Sequence, residues 1–253
     1  ATATTGNITD SGALTITGTS TFTVANGQSV ILDESSTFST VTFASAGTIA
    51  SIEVNDSNAL DLGTLTTTGN LTVTAGGNIT DSGTVTVGGN LIATTDANSG
   101  AIDLGTLAVD GTMALVTHNN GAATVVNDAA IEFAASTVGG ALSATATTGN
   151  ITQSGALDIE GATTLVTTAQ GATIDLRTIT TNAFTSELLI TTNDNDPADG
   201  TFAADVTIDG GTTALIIAAS TIDGDLTLTS GHASGITDSG TVTVGGNLIA
   251  TTD

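Results

Sequence analysis

The chain of 253 residues carries 25 acidic side chains against one basic side chain, Arg177, so its formal net charge is −24. Nucleic acids and anionic lipid surfaces are bound mainly through lysine and arginine, so this composition excludes a nucleic-acid partner and electrostatic attachment to a membrane. Only 10% of the residues are charged and 39% are hydrophobic, which is not the composition of a disordered chain. Cysteine is absent, which excludes disulfides and thiolate metal sites.

Short segments in which apolar residues alternate with threonine recur along the whole chain. Clear examples are residues 12–18, 69–75, 83–88 and 225–230. A period of two in β-branched residues predicts half-buried strands. The Gly-Gly, Gly-Asn and Asp-Gly pairs between these segments predict turns. No segment combines a helical period with end caps, so we expect almost no helix.

A long sequence repeat organises the chain. Residues 79–96 recur without a change at residues 236–253. The marker Ile-Thr-(Asp/Gln)-Ser-Gly begins at Ile8, Ile79, Ile151 and Ile236. A fixed marker at such regular intervals is the signature of a repeat array. We therefore interpret residues 1–253 as one continuous segment of a longer array, with large repeats at 8–78, 79–150 and 151–235 and a partial repeat at 236–253.

A shorter period lies within the long repeat. A glycine that begins an alternating segment recurs at Gly69, Gly89, Gly111, Gly140, Gly161, Gly224 and Gly246. Most of these intervals fall within the range of about 20–24 residues that is typical of solenoid coils. We predict an all-β fold, a parallel β-helix (β-solenoid) that stacks aliphatic side chains in a narrow interior and asparagines in ladders at its turns. Tandem β-sandwich repeats are the alternative, although the large repeat is short for a sandwich of about 100 residues.

Two strings resemble a known family of repeats. Residues 4–16 (TTGNITDSGALTI) and 69–80 (GNLTVTAGGNIT) are similar to the haemagglutination-type repeats of filamentous haemagglutinin-like exoproteins, which are large bacterial surface adhesins. The resemblance extends over nearly the whole chain. It implies a right-handed parallel β-helix, export across the outer membrane, and a role in adhesion or biofilm formation. The secretion domain of that family is not recognisable in this sequence.

An acidic segment, residues 193–200, stands out from the repeat. It contains the only proline and belongs to the longest of the large repeats, which predicts a loop that leaves the solenoid. Clustered aspartates followed by glycine are typical of calcium loops, so we predict calcium ligands at Asp194, Asp196 and Asp199. Ala198 departs from the calcium-loop pattern, and a solvated acidic turn is the alternative. No other cofactor is expected.

Other candidate residues have simpler interpretations. Asp10, Asp81 and Asp238 recur in the marker, but Gln153 replaces the aspartate in one repeat, so we expect turn chemistry there rather than catalysis. Cleavage of acidic polysaccharides commonly uses Lys or Arg, and only Arg177 is present. No pair of carboxylates stands out for glycoside hydrolysis. The two histidines, His118 and His232, are expected at surface turns, and we predict no enzymatic activity.

These observations predict an extracellular or cell-surface protein, a stalk or fibre segment of a secreted adhesin. The alternatives are a self-assembling extracellular filament or sheath, joined end to end or laterally, and a carbohydrate-binding module. Contact with a host cell, a neighbouring cell or a glycan is expected through domains outside this segment. The longest apolar run, residues 214–219, is too short for a transmembrane helix, so no membrane insertion is expected, and any secretion signal or anchor should lie outside the segment.

Overall fold

The computed structural model describes residues 1–96, 99–194 and 203–252. In these ranges the chain contains β-strands and no helix, and thus no helix long and apolar enough to cross a membrane. The chain divides into two compact units, an N-terminal unit of residues 1–125 and a C-terminal unit of residues 126–253. Within each unit the strands pair in parallel with strands of the next coil. The predicted β-solenoid is therefore confirmed, and the β-sandwich alternative is wrong.

Each unit is built from short strands joined by turns. The strands of the N-terminal unit are β1 (Ile8–Thr9), β2 (Ser20–Val24), β3 (Gln28–Ser36), β4 (Thr40–Ser45), β5 (Ile49–Asp56), β6 (Leu60–Leu62), β7 (Leu65–Thr67), β8 (Leu71–Ala75), β9 (Ile79–Asp81), β10 (Val85–Val87), β11 (Leu91–Thr95), β12 (Ile102–Val109) and β13 (Thr112–Val116). One further strand, β14 (Ala123–Asn127), lies at the division between the units. The strands of the C-terminal unit are β15 (Ile131–Phe133), β16 (Ser136–Val138), β17 (Leu142–Ala146), β18 (Ile151–Gln153), β19 (Leu157–Ile159), β20 (Thr163–Gln170), β21 (Ile174–Leu176), β22 (Ala183–Phe184), β23 (Glu187–Asn193), β24 (Val206–Asp209), β25 (Leu215–Ile217), β26 (Ser220–Ile222), β27 (Leu226–Ser230), β28 (Ile236–Asp238), β29 (Val242–Val244) and β30 (Leu248–Thr252).

The alternation of apolar residues with threonine decides which side chains enter the core. In β8, Leu71 and Val73 are completely buried, whereas the intervening Thr72 is only half-buried. Parallel pairing in register places Leu71 beside Leu91 and then Leu91 beside Met113 in successive coils. Equivalent apolar side chains therefore form continuous ladders. Because side chains alternate between the two faces of a strand, one apolar residue in two is enough to build this interior.

The register gives the coil length directly. Ile8 pairs with Val30, Leu71 with Leu91, and Leu142 with Thr163. Each of these pairs spans one coil, and the separations agree with the coil length that the recurring glycines predict. Longer coils occur in the C-terminal unit, where Ile174 pairs with Val206 and the chain between them includes the acidic segment.

The first coils of the N-terminal unit differ from the regular pattern in two ways. Phe22 lies 6.0 Å from Phe38 and 6.1 Å from Phe43 between ring centroids, so a small aromatic cluster fills the interior there. The segment 12–18, which the alternation predicts to be a strand, forms only an isolated parallel bridge between Thr15 and Thr37.

The repeat marker changes position inside the C-terminal unit. The marker strand β18 belongs to the sheet that runs through β21, β24 and β27, whereas the marker strand β28 stacks on β25 in the other sheet. The marker changes sheet in the N-terminal unit as well, where β1 pairs with β3 of one sheet and β9 pairs with β6 of the other. Repeat-equivalent residues of successive markers within a unit therefore do not stack on each other.

Candidate functional site

The corners that follow β11 and β20 are each held by a buried hydroxyl group. Thr95 Oγ1 donates to the carbonyl oxygen of Gly100 at 3.0 Å, and Thr167 Oγ1 donates to that of Ala172 at 3.2 Å. Both threonine side chains are buried, at 0% and 1% exposure. A buried hydroxyl without a partner would cost free energy, so this bond satisfies the threonine and also fixes the direction in which the chain leaves the strand.

The acidic segment falls, in sequence, within a third corner of this kind, the one that follows β23. Thr192, buried at the end of β23, donates to the carbonyl oxygen of Ala204 at 3.1 Å, and these two residues are 12 positions apart instead of 5. Strand pairing continues on both sides, because β23 pairs with β20 and β24 pairs with β27. A hydrogen bond from a buried threonine hydroxyl to a carbonyl oxygen thus holds the corner, whether its two ends are five or twelve residues apart.

Of the three predicted calcium ligands, the structure describes only Asp194, since Asp196 and Asp199 lie outside the described residues. Asp194 Oδ2 accepts a hydrogen bond from the Ala203 amide at 3.0 Å. The Asp194 amide donates to Asp223 Oδ2 at 2.9 Å, and the Asp223 amide donates to Thr192 Oγ1 at 3.1 Å. These bonds join residue 194 to residue 203, and they join Thr192 and Asp194 to Asp223 in the adjacent coil. Within the described ranges, no three acidic or histidine side chains come together as a metal site.

The marker aspartate Asp81 joins two coils. Its Oδ1 accepts from the Gly105 amide at 2.9 Å, and its Oδ2 accepts from the Thr106 amide at 2.8 Å and from the Thr106 hydroxyl. Asp81 therefore bonds backbone groups of the next coil, whereas turn chemistry predicted bonds within its own turn. In the first marker, both carboxylate oxygens of Asp10 are buried without a hydrogen-bond partner among the described residues. In the repeat with glutamine, Gln153 instead exchanges two hydrogen bonds with the buried side chain of Asn182, at 3.0 and 3.1 Å.

Asparagine and aspartate side chains form a second set of contacts between coils. Asn70 Oδ1 accepts from the Asn90 amide at 2.9 Å, and Asn90 Oδ1 in turn accepts from the Thr112 amide at 3.0 Å. In the C-terminal unit aspartates take this position, with Asp225 Oδ1 accepting from the Asn247 amide at 2.6 Å. Asn70 and Asn90 lie on adjacent coils, but the next residue in this row is Thr112, so the predicted asparagine ladder is only two residues long here. Aspartates adopt the same geometry in the C-terminal unit.

One carboxylate is buried in the interior, and no feature of the sequence pattern distinguished it. Asp56, at 0% exposure, accepts hydrogen bonds from the Asn58 amide at 3.0 Å and from the Phe38 amide at 3.1 Å. Burial raises the pKa of the Asp56 carboxyl above its ordinary 3.8, although the two amide hydrogen bonds oppose the shift. Its partners along the ladder, Ser36 and Ala75, carry no charge.

The remaining candidate residues lie at the surface. The side chain of Arg177 is 64% exposed and its Nε lies 3.2 Å from Asp175 Oδ2, an exposed ion pair of the kind that contributes little to stability. His118 and His232 are both exposed, as expected for turn residues, and His232 Nδ1 accepts from the Ser234 amide at 3.0 Å.

Short coils in parallel register, aliphatic ladders and side-chain bonds between coils define the chain as a repeat protein of the β-solenoid class. The chain belongs to the family described as repeats of unknown function (DUF5649), whose model matches residues 1–45, 48–117, 120–191 and 203–252. Comparison with curated proteins and comparison with solved structures each find no match.

Proposed function

We propose that the chain is a structural stalk or fibre segment of a secreted or cell-surface adhesin of the filamentous haemagglutinin-like type. The observation that carries the proposal is that aspartate, asparagine and threonine side chains form hydrogen bonds to neighbouring coils or corners of the same chain. Asp81 and Asn90 hold the next coil, Thr192 closes a corner, and the Asp194 carboxylate accepts from Ala203. A segment whose specific contacts are internal suits a mechanical role.

The amino-acid composition of the chain suits an extracellular setting. Trypsin-like proteases cleave after lysine or arginine, and the chain offers them only Arg177. The net charge of −24 favours solubility and repels other acidic surfaces. A strongly acidic spacer would hold a terminal binding domain away from the cell without adhering to the cell's own surface.

Surface labelling and binding assays test this proposal together. Antibodies against the chain should label intact, unpermeabilised cells of the source organism. The isolated chain should bind neither glycan arrays nor host cells, because a spacer has no ligand of its own. Specific binding to a glycan would favour the carbohydrate-binding alternative instead, and absence of the protein from the cell surface and medium would contradict the proposal.

A self-assembling filament is the second candidate. It is favoured by the parallel stacking of coils, because a strand edge that pairs with the next coil can also pair with a strand of another chain. Electron microscopy of the purified chain separates the two candidates. A stalk segment gives particles of uniform length at all concentrations, whereas a filament protein grows in length with concentration.

A further inference from the structure

The chain contains two Asn-Gly pairs, Asn26-Gly27 and Asn120-Gly121. In such a pair the backbone nitrogen of the glycine can attack the side-chain carbonyl carbon of the asparagine, because glycine has no Cβ to hinder the approach. Both asparagines are exposed in the structure. Exposure therefore does not distinguish the two pairs, and the hydrogen bonds of the reacting groups decide which pair is free to react.

The first pair is held by the next coil at both reacting groups. Asn26 Oδ1 accepts from the Thr48 amide at 2.8 Å and from the Thr48 hydroxyl at 3.2 Å. The Gly27 amide donates to the Thr48 carbonyl oxygen at 2.8 Å. Attack requires the asparagine side chain to rotate and the glycine peptide to turn, so all three bonds between the coils would have to break.

The second pair lies in the corner between β13 and β14, where the reacting groups are held less firmly. Within the described ranges, the Asn120 side chain forms no hydrogen bond. The Gly121 amide donates to the His118 carbonyl oxygen at 3.0 Å, which is a bond within one turn. Gly121 is buried, but ring closure is intramolecular and needs only the neighbouring side chain. Attack on Asn120 therefore breaks one bond within a turn, whereas attack on Asn26 breaks three bonds between coils.

We infer that Asn120 is a site of spontaneous deamidation and that the fold protects Asn26 from the same reaction. A bond forms between Gly121 N and Asn120 Cγ, the bond between Cγ and Nδ2 breaks, and the Gly121 amide proton leaves with that nitrogen as ammonia. Water then opens the ring at either carbonyl carbon and leaves aspartate or isoaspartate at position 120. The inference concerns the chemistry of the chain itself and does not depend on the stalk proposal.

The isoaspartate product should disturb the corner that contains it. Thr117 Oγ1 donates to the Gly121 carbonyl oxygen at 2.6 Å, and these two residues are only 4 positions apart. Isoaspartate adds one carbon atom to the main chain between them. The corner has little room for that atom, because a Cβ added at Gly121 would lie 2.3 Å from the carbonyl oxygen of Gly100 in the preceding coil. We therefore expect the hydrogen bond of Thr117 to weaken in this product.

The test incubates the folded chain, and the same chain unfolded in urea, at mildly alkaline pH. Mass spectrometry of peptides prepared with pepsin in acid follows the loss of each amide. In urea the two pairs should react at similar rates, because the fold no longer distinguishes them. In the folded chain we expect Asn120 to lose its amide on the order of 10-fold faster than Asn26, since the bonds to Thr48 have to open before Asn26 can react.

Two variants locate the reaction and separate its two effects. Asn120→Gln should remain unmodified at this position, because the longer side chain closes the ring less readily, and its reaction at Asn26 should match that of the parent chain. Asn120→Asp carries the added negative charge without the additional main-chain carbon. The isoaspartate form, isolated from the incubated parent chain, should therefore unfold at a lower urea concentration than Asn120→Asp.

Two results would overturn the inference. One is loss of the Asn120 amide no faster than loss of the Asn26 amide in the folded chain. The other is an Asn120 amide that persists in the folded chain over the period in which both pairs react in urea. Equal stability of the isoaspartate form and Asn120→Asp would contradict the effect assigned to the corner.

Discussion

Single residues at the coil corners explain why glycine recurs with the coil period. A Cβ added at Gly89 would lie 2.7 Å from the carbonyl carbon of Gly69 in the preceding coil, which real Cβ atoms essentially never approach. The backbones of adjacent coils meet there, and neither can move without breaking the strand pairing of β8 and β11. The glycines that reveal the repeat in the sequence are thus required by contact between coils.

Gly89→Ala should lower the free energy of unfolding by about 1–3 kcal/mol, because it overpacks a backbone contact. Gly105→Ala is the matched control, since a Cβ at Gly105 meets no atom within 4 Å. Urea denaturation of both variants measures the difference. Equal loss of stability in the two would contradict the role assigned to Gly89.

The buried carboxylate Asp56 should make stability depend on pH. Its folded-state pKa is raised above 3.8, so its contribution to stability is complete below about that pH and is lost as the pH rises through the folded-state pKa. Serine occupies the ladder position next to it, at Ser36, so Asp56→Ser fits the site. The free energy of unfolding of the wild type relative to this variant should therefore decline over that window.

Denaturation at a series of pH values between about 3 and 7 measures this decline. Asp33→Ser is the control, because Asp33 is exposed and its loss changes the net charge by the same amount. If the free energy of unfolding of the wild type relative to Asp33→Ser declined by the same amount over this pH range, that result would contradict the assignment to Asp56.

At the scale of strands and corners, the sequence predicts much of the structure but not all of it. The alternations at residues 69–75, 83–88 and 225–230 correspond to β8, β10 and β27. The alternation did not predict that the marker lies in different sheets at β18 and β28. Period-two alternation reports which side chains face inward and does not report which strand of the next coil lies above.

The corner hydroxyls were also missed, for a physical reason. Thr95 is one threonine among many in the chain, and only its burial at a strand end distinguishes it from the outward-facing Thr94. Thr95→Val keeps the shape but removes the bond to Gly100, so we expect a loss of about 1–2 kcal/mol in the free energy of unfolding. Thr94→Val, measured by the same urea titration, should be nearly neutral, and a loss of similar size there would argue against the corner bond.

At the scale of the whole chain, the long repeat and the coil are different units of organisation. The family model matches two inner stretches, residues 48–117 and 120–191, and each of these stretches contains several coils of the strand register. The coil is the unit of packing, because each coil buries its apolar residues against its neighbours. The acidic segment shows that a corner can lengthen while the ladders on both sides persist.

The central claim is that residues one coil apart are parallel neighbours, and NMR of the labelled chain tests it most directly. The account predicts nuclear Overhauser contacts between the backbone of Leu71 and that of Leu91, and between the backbone of Leu91 and that of Met113. Short contacts between α-protons across adjacent hairpin strands, with no contacts between residues one coil apart, would show antiparallel pairing and contradict the account.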